Sequence, residues 1–81
     1  MKLFKVSQNI NNNYDTFDSF VIACNSEDEA RATDPYGECN TIKQDDTFAS
    51  WVSADKVIVE YLGEAHNGLV KGIIVASFNA G

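Results

Sequence analysis

Hydrophobic and polar residues alternate along KLFKVSQ (residues 2–8), with Leu3 and Lys5 facing one way and Phe4 and Val6 the other. A period of two predicts a strand, here one covered on a single face. The polar run NINNNYDT breaks the pattern, and its asparagines are turn material because the side chain bonds its own backbone and tolerates left-handed dihedrals. FDSFVIAC follows, apolar and β-branched from Phe20 to Cys24 and too short for a buried helix, and predicts a central strand. Near the other end, KVIVEYL sets Val57, Val59 and Tyr61 against Ile58, Glu60 and Leu62, and LVKGIIVASF adds a fourth apolar run. Asn67-Gly68 between them predicts a hairpin turn, since glycine supplies the positive φ of tight turns. Gly63 and Gly72 inside these runs are candidate bulges.

One helix start is marked. Ser26 and Glu29 have the spacing of a capping box, in which the serine oxygen accepts from the third amide and the glutamate reaches back to the cap residue. Glu27, Asp28 and Glu29 also sit at the positive end of the helix dipole. Pro35 disfavours helical dihedrals at Asp34, so SEDEARAT allows about two turns. Its small residues, Ala30, Ala32 and Thr33, let it lie close to a sheet while burying little. In WVSADKV, Ser53 is placed to cap a single turn and Trp51 to enter the edge of the core. The expectation is one α+β domain over residues 1–81, a four-stranded, mainly antiparallel sheet with one short helix in the order β-β-α-β-β.

Charge narrows the choice of partner. The formal net charge is −6. Nine acids (Asp15, Asp18, Glu27, Asp28, Glu29, Asp34, Glu38, Asp45, Asp46) lie between residues 15 and 46 against Arg31 and Lys43, while the two ends together carry +1. Such a field repels nucleic acid and anionic membranes and speeds encounter with a basic protein surface. No direct nucleic-acid or membrane partner is therefore expected. With 44% hydrophobic and 22% charged residues the composition is that of a folding, soluble chain, and one of this length buries roughly 60–65% of its unfolded surface. MKLFKVSQNINNN holds no continuous apolar run of the kind a secretory signal or membrane span needs, which points to the cytosol. There, Cys24 and Cys39 are expected as free thiols.

Catalytic signals are weak. The single histidine, His66, falls in the Asn67-Gly68 turn with no nucleophile motif beside it, so no enzyme activity is expected. No paired-cysteine or paired-histidine spacing supports a metal, and Asp45-Asp46 lack the glycine and terminal glutamate of a calcium loop. No phosphate-binding glycine loop is present, and no cofactor is expected. Tyr36, Phe48 and Trp51 could stack a base, although six basic residues offer few partners for phosphate. DPYGECNTIKQDDTFASW (34–51) is the longest connection, with turn signals at Pro35–Gly37 and Asp45-Asp46 and a weak strand tendency at Thr41–Lys43. Connections this long are usually functional or mobile. Together with the helix start it supplies the candidate partner-binding set Glu27, Asp28, Asp34, Tyr36, Glu38, Asp45 and Asp46. GIIVASF is apolar enough to aggregate on an open edge, which predicts a central strand or one paired in a homo-oligomer.

MKLFKVSQ, YDTFDSFVIAC with SEDEAR after it, WVSADKVIVEYLGEA and KGIIVASFNAG resemble a family of small proteins encoded by bacteriophages and prophages, over some three quarters of the chain. Residues 35–48 lie outside that resemblance. It implies a phage context and the bacterial host cytosol, and it carries over no fold, cofactor or catalytic residue. Small acidic phage proteins are similar as a class to host-defence antagonists such as anti-CRISPR proteins, which act by stoichiometric binding. The leading expectation is thus an inhibitor that docks an acidic surface on a basic host-defence protein. The alternatives are a sponge for a nucleotide signal and a self-associating phage accessory protein.

Overall fold

Lys2–Ser7 (β1) and Thr16–Cys24 (β2) pair antiparallel at the centre of a four-stranded sheet, flanked by Ile58–Glu64 (β3) and Gly72–Asn79 (β4). The order across the sheet is β3-β1-β2-β4, all neighbours antiparallel, in a computed structural model that describes residues 1–11, 15–43 and 49–79. One short helix, Glu27–Arg31 (α1), and a single 3-10 turn, Ala54–Lys56, complete the elements among the described residues. The α+β class and the β-β-α-β-β sequence follow the hydrophobic pattern.

Strand alternation decides which face is buried. Register pairs Phe4 with Ile22 and Tyr61, and Val6 with Phe20 and Val59, so these side chains share one face. Phe4, Val6, Phe20, Ile22 and Cys24 form the sheet's part of the core, closed by Ala30 of α1 and by Trp51, Val52 and Val57. Trp51 is fully buried, its ring 5.3 Å from that of Phe20. The chain leading into β3 therefore supplies the largest core side chain, and Trp51 sits well inside the edge position its sequence context predicts.

Backbone and side-chain hydrogen bonds hold that irregular segment in place. Phe17 N donates to Ser50 O (2.9 Å), and Asn11 Nδ2 donates to Ala49 O (2.8 Å). Asn40 Nδ2 donates to Val52 O (2.9 Å), and Arg31 Nη1 donates to Val57 O (3.0 Å). Gln8 organises the exit from β1. Its Oε1 accepts from Ile10 N and Asn11 N, and its Nε2 donates to Asn11 O and Phe17 O, so a buried amide is fully satisfied.

Several expectations need correction. β3 and β4 do not form a hairpin: they lie at opposite edges of the sheet. The Asn67-Gly68 turn does form, with Gly68 at φ 93° and Leu69 N donating to His66 O. The edges stand about 14 Å apart, three strand spacings, a gap a two-residue turn cannot bridge. Residues 65–71, with a reach of about 23 Å when extended, can. Pairing was decided by the faces of β1 and β2 and not by local turn chemistry. GIIVASF is accordingly an edge strand and not a central one. Gly63 does mark a register shift opposite Leu3/Phe4, but the shift in β4 falls opposite Val21/Ile22, at Ile74, and Gly72 only opens the strand. Thr41–Lys43 is not a strand; the local pairing is an isolated bridge between Thr33 and Cys39. Ser53 precedes the 3-10 turn as foreseen, yet its hydroxyl bonds Asp55 Oδ1 (2.6 Å) and caps no amide.

The indole Nε1 of Trp51 is buried with no hydrogen-bond partner among the described residues. Trp51→Ala is expected to lower the unfolding free energy by about 3–5 kcal/mol. Trp51→Phe is expected to lower it by much less, because the lost ring contacts are offset by removing an unsatisfied donor, which costs about 1–3 kcal/mol. Urea midpoints of the two variants check this.

Candidate functional site

On the core-side face of the sheet, α1 and the turn that follows it carry Glu27, Asp28, Asp34, Tyr36 and Glu38 of the predicted partner-binding residues. α1 packs over β1, β2 and β3. Ser26 is its N-cap: Glu29 N donates to Ser26 Oγ (3.2 Å), and Asn25 N donates to Glu29 Oε1 (3.1 Å). The reciprocal arm of the capping box thus lands one residue before the cap. Thr33 Oγ1 donates to Glu29 O (2.7 Å), ending the helix ahead of Pro35.

Residues 34–38 then fold into a tight turn. The Asp34 carboxylate accepts from Tyr36 N and Glu38 N (2.9 Å each), Asp34 N donates to Glu38 O (2.8 Å), and Gly37 takes φ 85°. The turn lies toward β2 and β4, where the Tyr36 ring meets Phe17 edge-on at 5.2 Å and Phe17 meets Phe78 at 4.8 Å.

The predicted residues accordingly differ in what they can offer a partner. Asp34, Tyr36 and Glu38 are brought together, but the Asp34 carboxylate is occupied by its own turn. Glu27 lies 3.5 Å from Arg31 Nη2, and Arg31 also holds backbone carbonyls. Glu29 is paired with Lys71 Nζ at 2.8 Å. Asp28 and Glu38 are exposed, with no cation bonded to their carboxylates among the described residues, and Tyr36 is 65% exposed. Asp45 and Asp46, with the candidate stacking residue Phe48, lie outside the described residues.

A shallow open depression of about 380 Å³ lies beside the start of α1, lined by Lys2, Phe4, Ser26, Glu27 and Tyr61. Phe4 and Tyr61 stack tilted at 5.7 Å, and Tyr61 Oη donates to Glu64 Oε2 (2.8 Å), a bond that raises the phenol pKa. Sequence reasoning missed Lys2, Phe4 and Tyr61 as neighbours because only the β1–β3 pairing brings them together. It missed Lys71 for the same reason, since the crossing connection carries that lysine back to α1.

The thiols are free and unlike each other. Cys24 is buried, which pushes its pKa up, and its Sγ donates to Ser26 O (3.3 Å); Cys39 is exposed. Among the described residues no group of three His, Cys, Asp or Glu side chains could hold a metal ion, and no helix is long and apolar enough to cross a membrane. His66 is exposed in its turn. Comparison with known proteins adds nothing to this geometry: no protein-family model, no curated protein and no solved structure matches the chain.

The bond from Lys71 and the one from Asn25 N hold the Glu29 carboxyl below the usual glutamate range. A depressed folded-state value means that the pair stabilises the protein above the unfolded value and loses that contribution as pH falls through the folded one. Lys71→Ala is expected to lower stability by about 0.2–1 kcal/mol at neutral pH, since the pair is largely exposed. The difference from the parent should close as the medium is acidified, and should also shrink at high salt. Urea melts across pH measure it. A thiol reagent is expected to modify Cys39 in the native protein and Cys24 only on unfolding, which mass spectrometry reads directly.

Proposed function

We propose that this protein is a binding module and not a catalyst: a phage-encoded antagonist that docks its acidic helix-and-turn layer on a basic surface of a bacterial host-defence protein and inhibits it stoichiometrically in the host cytosol. The observation that carries the reading is the pair of uncompensated carboxylates, Asp28 and Glu38, in the layer that also exposes Tyr36. Charges that need no internal partner to be broken are available to an incoming basic group without loss of stability. An exposed tyrosine held against Phe17 provides rigid apolar contact area with a polar tip, the kind of residue that anchors interfaces. The phage assignment rests on the sequence resemblance, and the class of target on analogy with small acidic antagonists.

The depression beside Lys2 supports a second reading, a sponge for a nucleotide signal, with the exposed Tyr61 ring for the base and Lys2 for a phosphate. One cation and an open wall favour it less than docking.

The first reading predicts that tagged protein captures a defence protein from a defence-bearing bacterial lysate at low salt, with capture falling steeply as salt rises. Asp28→Lys with Glu38→Lys should slow association with that protein at least tenfold, with little change in dissociation rate. No salt-sensitive capture, or association indifferent to the double reversal, would overturn it. The second reading predicts stabilisation by about 2.7 kcal/mol with a nucleotide at a hundred times its dissociation constant; a flat thermal-shift panel removes it.

A further inference from the structure

The face of the sheet opposite α1 is the less covered one: Lys5, Ile58, Glu60 and Val75 on it are exposed and Leu3, Ser7, Ser19 and Val21 half-buried, with Ala23 fully buried among them. Register lays out its rows across β3, β1, β2 and β4: Glu60, Lys5, Val21 and Val75 in one, Gly63, Leu3, Ala23 and Gly72 in the next, and Ile58, Ser7, Ser19 and Ser77 in a third. Leu62 stands at the bulge beside Leu3. Ile58, Leu62 and Val75 are each about half exposed or more, at 54%, 48% and 59%. A chain with net charge −6 thus has a broad surface whose only charged ladder residues are one lysine and one glutamate, with Asp18 in a bulge at one end bonding Ser77.

We propose that this face is the contact between two copies of the chain, stacked sheet on sheet. The inference is independent of the acidic layer's role. Three observations select a second copy as the occupant.

The first is charge. Lys5 and Glu60 are direct cross-strand neighbours on this face, yet no ion pair joins them or ties either to another described residue. Each is therefore free to reach across, and in a two-fold contact the Lys5 of each copy meets the Glu60 of its partner, so the pair forms twice. The second is the placement of the acids of α1 and the turn after it. Glu27, Asp28, Glu29, Asp34 and Glu38 all lie in the layer on the far side of the sheet, so stacking by the open face points both acidic layers outward. They then stand several Debye lengths apart, each about 8 Å at physiological salt. The third is area. Four strands of six to nine residues present roughly 450 Å² of sheet per copy. Corrugated by side chains and counted over both copies, this reaches about 1,000 Å², the lower end of specific interfaces. Interfaces of that size are weak or transient ones.

Sedimentation equilibrium of the full chain from about 1 µM to 1 mM, a range spanning weak affinities, tests this, with circular dichroism to show that every variant folds. The parent chain is expected to pass from monomer to dimer mass. Lys5→Glu puts two acids on the face and Glu60→Lys puts two bases there, so each variant alone should stay monomeric. An equimolar mixture of the two should recover dimer mass, since each lysine-bearing face then meets an acidic one, an outcome that pairing within one chain cannot produce. A parent chain that remains monomeric throughout overturns the proposal. So does a dimer that persists in both single variants, which would place the contact at the free edge of β4. A mixture that stays monomeric overturns it as well.

Discussion

One-sided burial is the constraint on which the rest depends. The four-stranded sheet of this 81-residue chain has apolar side chains on both faces and, among the described residues, only one short helix to cover them. α1 contributes a single buried residue, Ala30. The missing volume is supplied by Trp51, delivered by a segment with no regular structure beyond the 3-10 turn that follows it. That segment must satisfy its own backbone while lying on the sheet, which explains why Asn11, Phe17, Asn40 and Arg31 all direct hydrogen bonds at its carbonyls. The longest connection in the sequence thus ends as a wall of the core.

Covering one face in this way separates the chemistry of the two sides. Acidic residues gather in the covering layer, where they cap and terminate α1 or close the turn at Asp34. The opposite face is left with apolar and serine rows and a single lysine and glutamate. The two proposed uses, docking by charge and association by apolar area, consequently fall on opposite surfaces, and neither obstructs the other.

Period-two alternation placed β1 and β3 and gave the correct inward residues on β1, continuous apolar runs placed β2 and β4, and the serine-glutamate spacing located α1, because these signals act over a few neighbouring residues. Strand order was not legible. Asn67-Gly68 reported a real turn, but a local reversal of the chain says nothing about which strands lie on either side of it. Burial of Trp51 was underread because its partners, Phe20 and the carbonyl-binding side chains, are distant in sequence. In the candidate site, the acids were visible as composition, but their availability was not. Asp34 looks identical to Asp28 in a sequence, and only the turn geometry reveals that its carboxylate already accepts two amides. The Lys71–Glu29 pair, 42 residues apart, depends on the crossing connection that local reasoning replaced with a hairpin.

Native-state amide hydrogen exchange measures the central claim most directly. If the segment carrying Trp51 is a wall of the core, the Phe17 amide, which donates to Ser50 O, should exchange only through global unfolding, at the same free energy as the slowest amides of β1 and β2. Exchange of Phe17 at a markedly lower free energy, with the β1 and β2 ladders still protected, would mean that the sheet holds together without its cover and would contradict the account.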